Sequence, residues 1–226
     1  MIRKFTLVVL LTVFFLNNAW ASDDMKSTEI KIAFNEKCFV ASAPYWESDD
    51  FFSTSSNVNF DINNSANFDK WMSSPVLVKK YWGFKKIFVP GALGVLEMRI
   101  RVLTSISPIA EQTPEKLIEV IKARSLRLTE EINRELHDEH KGEKKYVPPT
   151  AFIQKVFNER EWVQYKFDAN YEGQVYVTWL DNMHYMEIVF KYTDNSRGYK
   201  SDAKETASKN IISIMNSAKL LDVMKK

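Results

Sequence analysis

The chain has 226 residues, 45% of them hydrophobic, which is enough apolar surface to bury one substantial core. Lys and Arg number 31 against 29 Asp and Glu, a balance that removes the electrostatic support a nucleic-acid-binding role needs. A single cysteine, Cys38, excludes an internal disulfide, so the fold must be held by its core.

Arg3 and Lys4 precede the apolar run Phe5 to Leu16, and Ala19-Trp20-Ala21 stands ahead of Ser22. This order matches a secretory signal peptide with an A-x-A cleavage site. The run spans 12 residues, whereas a membrane-spanning helix needs about 20. The expectation is cleavage near Ala21 and release of residues 22–226 as one periplasmic or secreted domain without a permanent membrane anchor. A lipoprotein would carry a cysteine just after the cleavage site, but Cys38 lies well inside the remaining chain.

Two short strands are expected around Glu29 to Phe34 and Cys38 to Ser42. From residue 47 to 74 the chain is rich in Ser, Asn and Asp without a sustained period, which reads as a long loop holding at most a short strand or helical turn. Loops of that length are uncommon in compact domains unless they are functional or mobile. This one carries rings: Tyr45, Trp46, Phe51, Phe52, Phe60, Phe68 and Trp71.

Strand signals sharpen after it, over Val76 to Trp82, Phe84 to Val89 and, past a Pro90-Gly91 turn, Val95 to Leu103. In the last of these Leu96, Met98, Ile100 and Val102 share one face. Glu97, Arg99 and Arg101 share the other, which reads as solvated. Thr113-Pro114-Glu115 then gives a cap, a first-turn proline and a first-turn acid. Leu117, Ile118, Ile121, Leu128, Ile132 and Leu136 form the stripe of a helix from about Pro114 to Asp138.

A three-stranded meander is expected over Glu161 to Ala169, Gln174 to Leu180 and Met183 to Thr193, the last link being the two-residue turn Asp181-Asn182. Ser201-Asp202 caps a closing helix with Ala203, Ala207, Ile211, Ile214, Ala218 and Leu221 on one side. The fold class is α+β: an antiparallel sheet of about six to eight strands covered by two main helices.

The segment His184 to Leu220, a strand, a polar loop, a helix and the closing Asn216-Ser217-Ala218-Lys219-Leu220, resembles the end of PsbP-like domains, the superfamily that includes DcrB-like bacterial envelope proteins. The resemblance implies an antiparallel sheet flanked by helices and a non-enzymatic binding or assembly role. It covers about the last forty residues and transfers no functional residue.

Several local clusters invite chemical readings. His137 and His140, three apart on a helix, offer two metal ligands, but a closed site usually needs four, and a solvated helix end accounts for them. Asp61 to Asp69 spaces oxygen-bearing side chains as a calcium loop does, yet Ala66 stands where glycine belongs and Met72 where the bidentate glutamate belongs. Cys38 and His184 make no recognisable pair, and a hydrogen-bonded histidine and a small buried thiol are the simpler readings. No nucleophile elbow, phosphate loop or zinc-protease helix occurs. No metal and no cofactor is therefore expected.

The leading expectation is an exported, non-catalytic binding protein with a protein partner in the cell envelope, an assembly factor or an immunity-type inhibitor. Tyr45, Trp46, Phe51, Phe52 and Trp71 are the candidate partner surface, because Tyr and Trp are enriched in interface cores. The other rings of the loop fasten it to the core. One alternative is a carrier of a small apolar or sugar ligand with Trp82, Trp162 and Trp179 around a pocket. Another is a divergent hydrolase.

Overall fold

The computed structural model describes residues 27–44, 54–85, 91–139, 146–166, 173–196, 198 and 201–223. The expected leader, Tyr45, Trp46, Phe51, Phe52, most of the expected strand Phe84 to Val89, His140 and the side chain of His137 lie outside the described residues. The fold is α+β, with ten strands in two sheets and two helices among the described residues.

In chain order the strands are β1 (Ser27–Phe34), β2 (Lys37–Pro44), β3 (Asn57–Phe60), β4 (Val78–Phe84) and β5 (Gly94–Thr104). Then come β6 (Phe152–Phe157), β7 (Arg160–Lys166), β8 (Gly173–Trp179), β9 (His184–Asp194) and β10 (Lys219–Asp222). Helix α1 (Pro114–Glu139) follows β5, and α2 (Ala203–Ser217) follows β9. The larger sheet has the order β4-β5-β9-β8-β7-β6 and is antiparallel throughout. The smaller has the order β10-β2-β1-β3, with β3 running parallel to β1.

One expected sheet thus becomes two. The first strands pair with each other, with a strand inside the long loop and with the last strand, rather than extending the meander. Thr54 stitches the sheets together: its N–H donates to Lys79 O (2.9 Å) and its Oγ1 accepts from Lys79 N (2.8 Å), while Lys31 N donates to Ser56 O (2.7 Å).

Alternation along β5, β9 and β8 divides the core into two layers. Leu96, Met98, Ile100 and Val102, with Met186, Ile188, Phe190 and Trp162, pack against Ile30, Ile32, Phe34 and Phe39 of the smaller sheet and against Ala207, Ile211 and Ile214 of α2. On the opposite face Leu103, Val163, Tyr165, Val175, Val177 and Tyr185 receive Leu117 and Ile121 of α1. Gly94 is required where it stands, because a β-carbon there would collide with the Tyr192 ring of the neighbouring strand.

The caps follow the sequence closely. Thr113 Oγ1 accepts from Lys116 N (3.3 Å), and at α2 it is Ser201 Oγ that accepts from Ala203 N (3.0 Å), the Asp202 side chain making no capping bond. That second helix ends at Ser217, so Leu221 belongs to β10 and is half exposed instead of lying on the helix stripe. The link from β8 to β9 takes four residues, 180–183, rather than two. Asp181 spends its carboxylate on the N–H groups of Met183 (2.7 Å) and His184 (2.8 Å), which widens the turn.

Strand β6 was not expected from the sequence. It joins β7 through Asn158-Glu159, both in the left-handed region at φ 47° and 61°, a turn that lacks the usual glycine. No helix among the described residues is long and apolar enough to cross a membrane.

Candidate functional site

The α1-facing side of the large sheet holds charge where the sequence pattern predicts solvent. Arg101 lies directly opposite Glu187 in the β5–β9 register. Its Nε donates to Glu187 Oε1 at 2.6 Å, and the Tyr165 hydroxyl donates to Glu187 Oε2 at 2.9 Å. Glu187 is 1% exposed, so this is a buried carboxylate with both oxygens occupied. The expectation that Arg101 is solvated is corrected: its side chain is only partly exposed and is spent on Glu187. Only Glu97 and Arg99 fit the solvated reading in part, pairing with each other toward the sheet edge, where Tyr81 and Lys79 also reach Glu97.

Beside this network, a cleft of about 240 Å³ opens between α1 and the loop leaving β5. Tyr185 meets it from the sheet, Met72 closes one end, and Thr104, Ser105, Ile106, Ser107 and Ile109 form the loop wall. Helix α1 contributes Glu119, Val120, Ala123, Arg124 and Arg127. Backbone bonds hold the loop in place: Ser105 N donates to Met183 O and Ile109 N to Asn182 O, each at 2.7 Å, and Ser105 Oγ donates to Ser107 O at 2.7 Å.

Two polar atoms on residues that line this cleft are sealed from solvent and lack a hydrogen-bond partner. The Tyr185 hydroxyl and Arg124 Nε are buried without a hydrogen-bond acceptor, and Trp162 Nε1 is the third such atom among the described residues. Tyr185 is 1% exposed, and burial raises its phenol well above the usual range, so it stays protonated and able to donate. Burial and the adjacent Glu187 likewise raise Tyr165. Leaving a buried donor unpaired costs about 1–3 kcal/mol.

The end of the aromatic loop reaches this cleft through Met72. Asp69 Oδ1 accepts from Trp71 N (2.8 Å) and Ser73 N (3.1 Å), and the Arg124 guanidinium donates to Ser73 Oγ. Met72 is held between them at φ 56°, its N–H on Asp69 O and its carbonyl accepting from Thr104 N (2.8 Å). A left-handed conformation at a side chain of that size costs about 1–3 kcal/mol and persists only where the surroundings impose it. Lys70 reaches α1 through Glu131 (3.3 Å) and lies 4.7 Å from the centre of the Trp71 ring.

The residues singled out from the sequence separate as follows. Phe60 and Phe68 meet edge-to-face at 5.8 Å, and Phe68 stacks on His184 at 5.7 Å, so these two rings fasten the loop. Trp71 is half-buried next to the cleft. Trp82 and Trp162 lie in the layer shared with the smaller sheet and Trp179 in the layer under α1, so the large sheet separates them and the three do not line one pocket. Trp82 Nε1 donates to Pro44 O (2.9 Å) and Trp179 Nε1 to Thr113 O (3.1 Å), which makes both of them fasteners.

The calcium-like oxygens are spent on turns: Asp61 Oδ1 accepts from Asn35 Nδ2 and Asn63 N at 3.0 Å, and Asn64 Oδ1 from Ala66 N at 3.0 Å. His184 Nδ1 sits 2.9 Å from Asp181 Oδ2, and Cys38 is buried in the smaller sheet. Burial would raise the Asp181 carboxyl, but the His184 ring and the two backbone N–H groups outweigh it and hold it below the usual range.

Arg124, Tyr185, Tyr165 and Glu187 were missed as site residues. Their signals were an arginine at the fourth-then-third spacing of the stripe Leu117, Ile121, Arg124, Leu128, and a glutamate inside an otherwise apolar strand facing Arg101. Compared with known proteins, the chain matches no family model and no curated protein sequence.

Proposed function

We propose that the protein is an exported, non-catalytic binding protein that grips another macromolecule of the cell envelope, as an assembly factor or an inhibitor, through the surface around this cleft. The observation that carries the reading is the cleft itself, whose lining includes the exposed Ile106 and Arg127. The lip supports it. Ile106 is 71% exposed, Arg127 is exposed and Trp71 is half-exposed, and Trp and Arg are the residue types that dominate interface energetics. Tyr45, Trp46, Phe51 and Phe52 belong to the same proposal as further contacts from the loop. So does the PsbP-like resemblance of the C-terminal strand, loop and helix, which implies a non-enzymatic assembly role.

A second reading, a carrier of a small ligand, is favoured by the concavity itself. At about 240 Å³ the cleft falls below the roughly 300–1,000 Å³ of sites that enclose a whole ligand. That size suits one group of a larger partner.

The test is affinity capture from the protein's own cell envelope with the wild type, with Ile106→Asp and with Tyr45, Trp46 and Phe52 replaced together by alanine. The expected result is a partner retained by the wild type and lost by the variants at an unchanged thermal midpoint. Equal capture by all three, a fall in stability with unaltered capture, or turnover of a substrate by purified protein would overturn the proposal.

A further inference from the structure

We infer that β6 is a pairing edge through which two copies of the chain join their large sheets across a two-fold axis, strand against antiparallel strand. The inference stands apart from the cleft, whose lining includes no residue of β6.

Four strands end the two sheets, and three of them are blunted. Strand β4 spends outward backbone groups on Thr54, which bonds both the N–H and the carbonyl of Lys79. Strands β3 and β10 have four residues each, too short to offer much of a ladder. Strand β6 has six, pairs one-to-one with β7 alone, and contains neither proline nor glycine. Among the described residues no backbone group outside β7 bonds to it.

Its side chains are bare as well. Phe152 and Phe157 are half-buried at the two ends, while between them Ile153 is 53% and Val156 67% exposed. An edge of unpaired N–H and C=O groups carrying exposed β-branched side chains is a template that another strand completes.

The sequence of β6 fits itself. A two-fold axis perpendicular to the sheet keeps every side chain on its own face: Phe152, Gln154 and Val156 on the side where Phe152 meets Tyr165, Ile153 and Lys155 on the other. Opposed residues then differ by an even number of positions. With Gln154 on the axis, Phe152 of each copy faces Val156 of the other, and Ile153 faces Lys155, so five of the six strand residues pair. Aromatic and β-branched side chains stabilise each other across strands, and the Lys155 stem can lie along Ile153 with its ammonium in water.

Charge selects this register. Moving the axis to Lys155, the one charged residue of β6, would set lysine directly against lysine. Moving it to Ile153 would leave only three strand residues paired. A ladder of this length is a small contact, below the roughly 1,200 Å² of a stable interface, so the dimer forms and parts with concentration.

Sedimentation of the purified protein over a concentration series should show the average mass rising toward twice that of one chain. Ile153→Lys combined with Val156→Lys replaces two exposed side chains, so the thermal midpoint should hold while the dissociation constant rises at least about tenfold. Single added cysteines read the register, since Cys38 is buried. Gln154→Cys should cross-link into a covalent dimer under copper-phenanthroline oxidation, because directly opposed residues lie about 4.5–5.5 Å apart, within reach of a disulfide. Val156→Cys, set across from Phe152 instead of its own counterpart, should cross-link at least about tenfold more slowly.

A single-chain mass at every concentration would overturn the inference and leave β6 to a strand from another protein. Dimers untouched by the two lysines, or cross-linked through Val156→Cys rather than Gln154→Cys, would overturn it by placing the contact elsewhere. Capture from the envelope, which scores Ile106 and the aromatic loop, tests the cleft independently of these outcomes.

Discussion

Glu187 and Ile188 are neighbours in β9 that point to opposite sides of the same sheet. On the Ile188 side, toward α2 and the smaller sheet, the large sheet meets its cover mostly through carbon. On the Glu187 side, toward α1, a carboxylate, a guanidinium and a phenol are bonded together, and two further donors, Tyr185 Oη and Arg124 Nε, stay buried without a partner. The first face stabilises through area and close packing. The second gives up some of that stabilisation for groups whose hydrogen bonds are either mutually closed or still open.

The comparison breaks most visibly at Glu187. Replacing it by alanine strands Arg101 and the Tyr165 hydroxyl and should cost about 3–5 kcal/mol, seen as a lower denaturation midpoint. Converting Arg101 and Glu187 together to methionine should recover much of that loss, because no buried charge is then left uncompensated. On the other face, Ile188→Ala should cost about 3 kcal/mol through lost transfer energy and a cavity, and no second substitution of a polar partner should rescue it.

A smaller effect is expected at the β8–β9 turn, where Asp181→Asn should cost about 1 kcal/mol, Asp181 being roughly one-third exposed. The sign with pH follows from a carboxyl held below its unfolded value of 3.8. Its contribution is complete above that value and is lost as pH falls through the lower folded value. The wild type and Asp181→Asn should therefore converge in stability in strong acid and differ fully near neutrality, as denaturation curves at the two pH values would reveal.

The smallest effect is the most informative. Tyr185→Phe removes a hydroxyl that has no partner, so stability should stay level or rise by up to about 1 kcal/mol. A clear loss of stability would place that hydroxyl in the structural network with Glu187.

The elements with strict periods were legible from the sequence. Helix α1 with its Thr113 cap, the alternation of β5 and the strands of the meander rest on local rules and stand close to where those rules put them, although of the helix stripe only Leu117 and Ile121 are fully buried among the described residues. The long loop held one short strand and one helical turn, as its composition indicated. What local rules do not express is pairing across distance. The parallel approach of β3 to β1 and the return of β10 to β2 split one expected sheet into two.

The candidate site was legible only in retrospect, for a related reason. Alternation marked Arg101 as facing away from the apolar layer, and water was the default neighbour on that side. That α1 covers this face, and that Arg101 and Glu187 stand opposite each other, are facts of register. The tryptophans were overvalued as a pocket because alternation within each strand does not say which strands share a face.

The smaller sheet joins the two ends of the described chain, with Cys38 of β2 standing opposite Leu221 of β10. A ribosome delivers the first of these strands long before the last, so β2 must wait with a bare edge until Lys219–Asp222 have emerged. Such a polypeptide cannot close its smaller sheet early. Removing β10 would leave that edge open to a neighbouring copy.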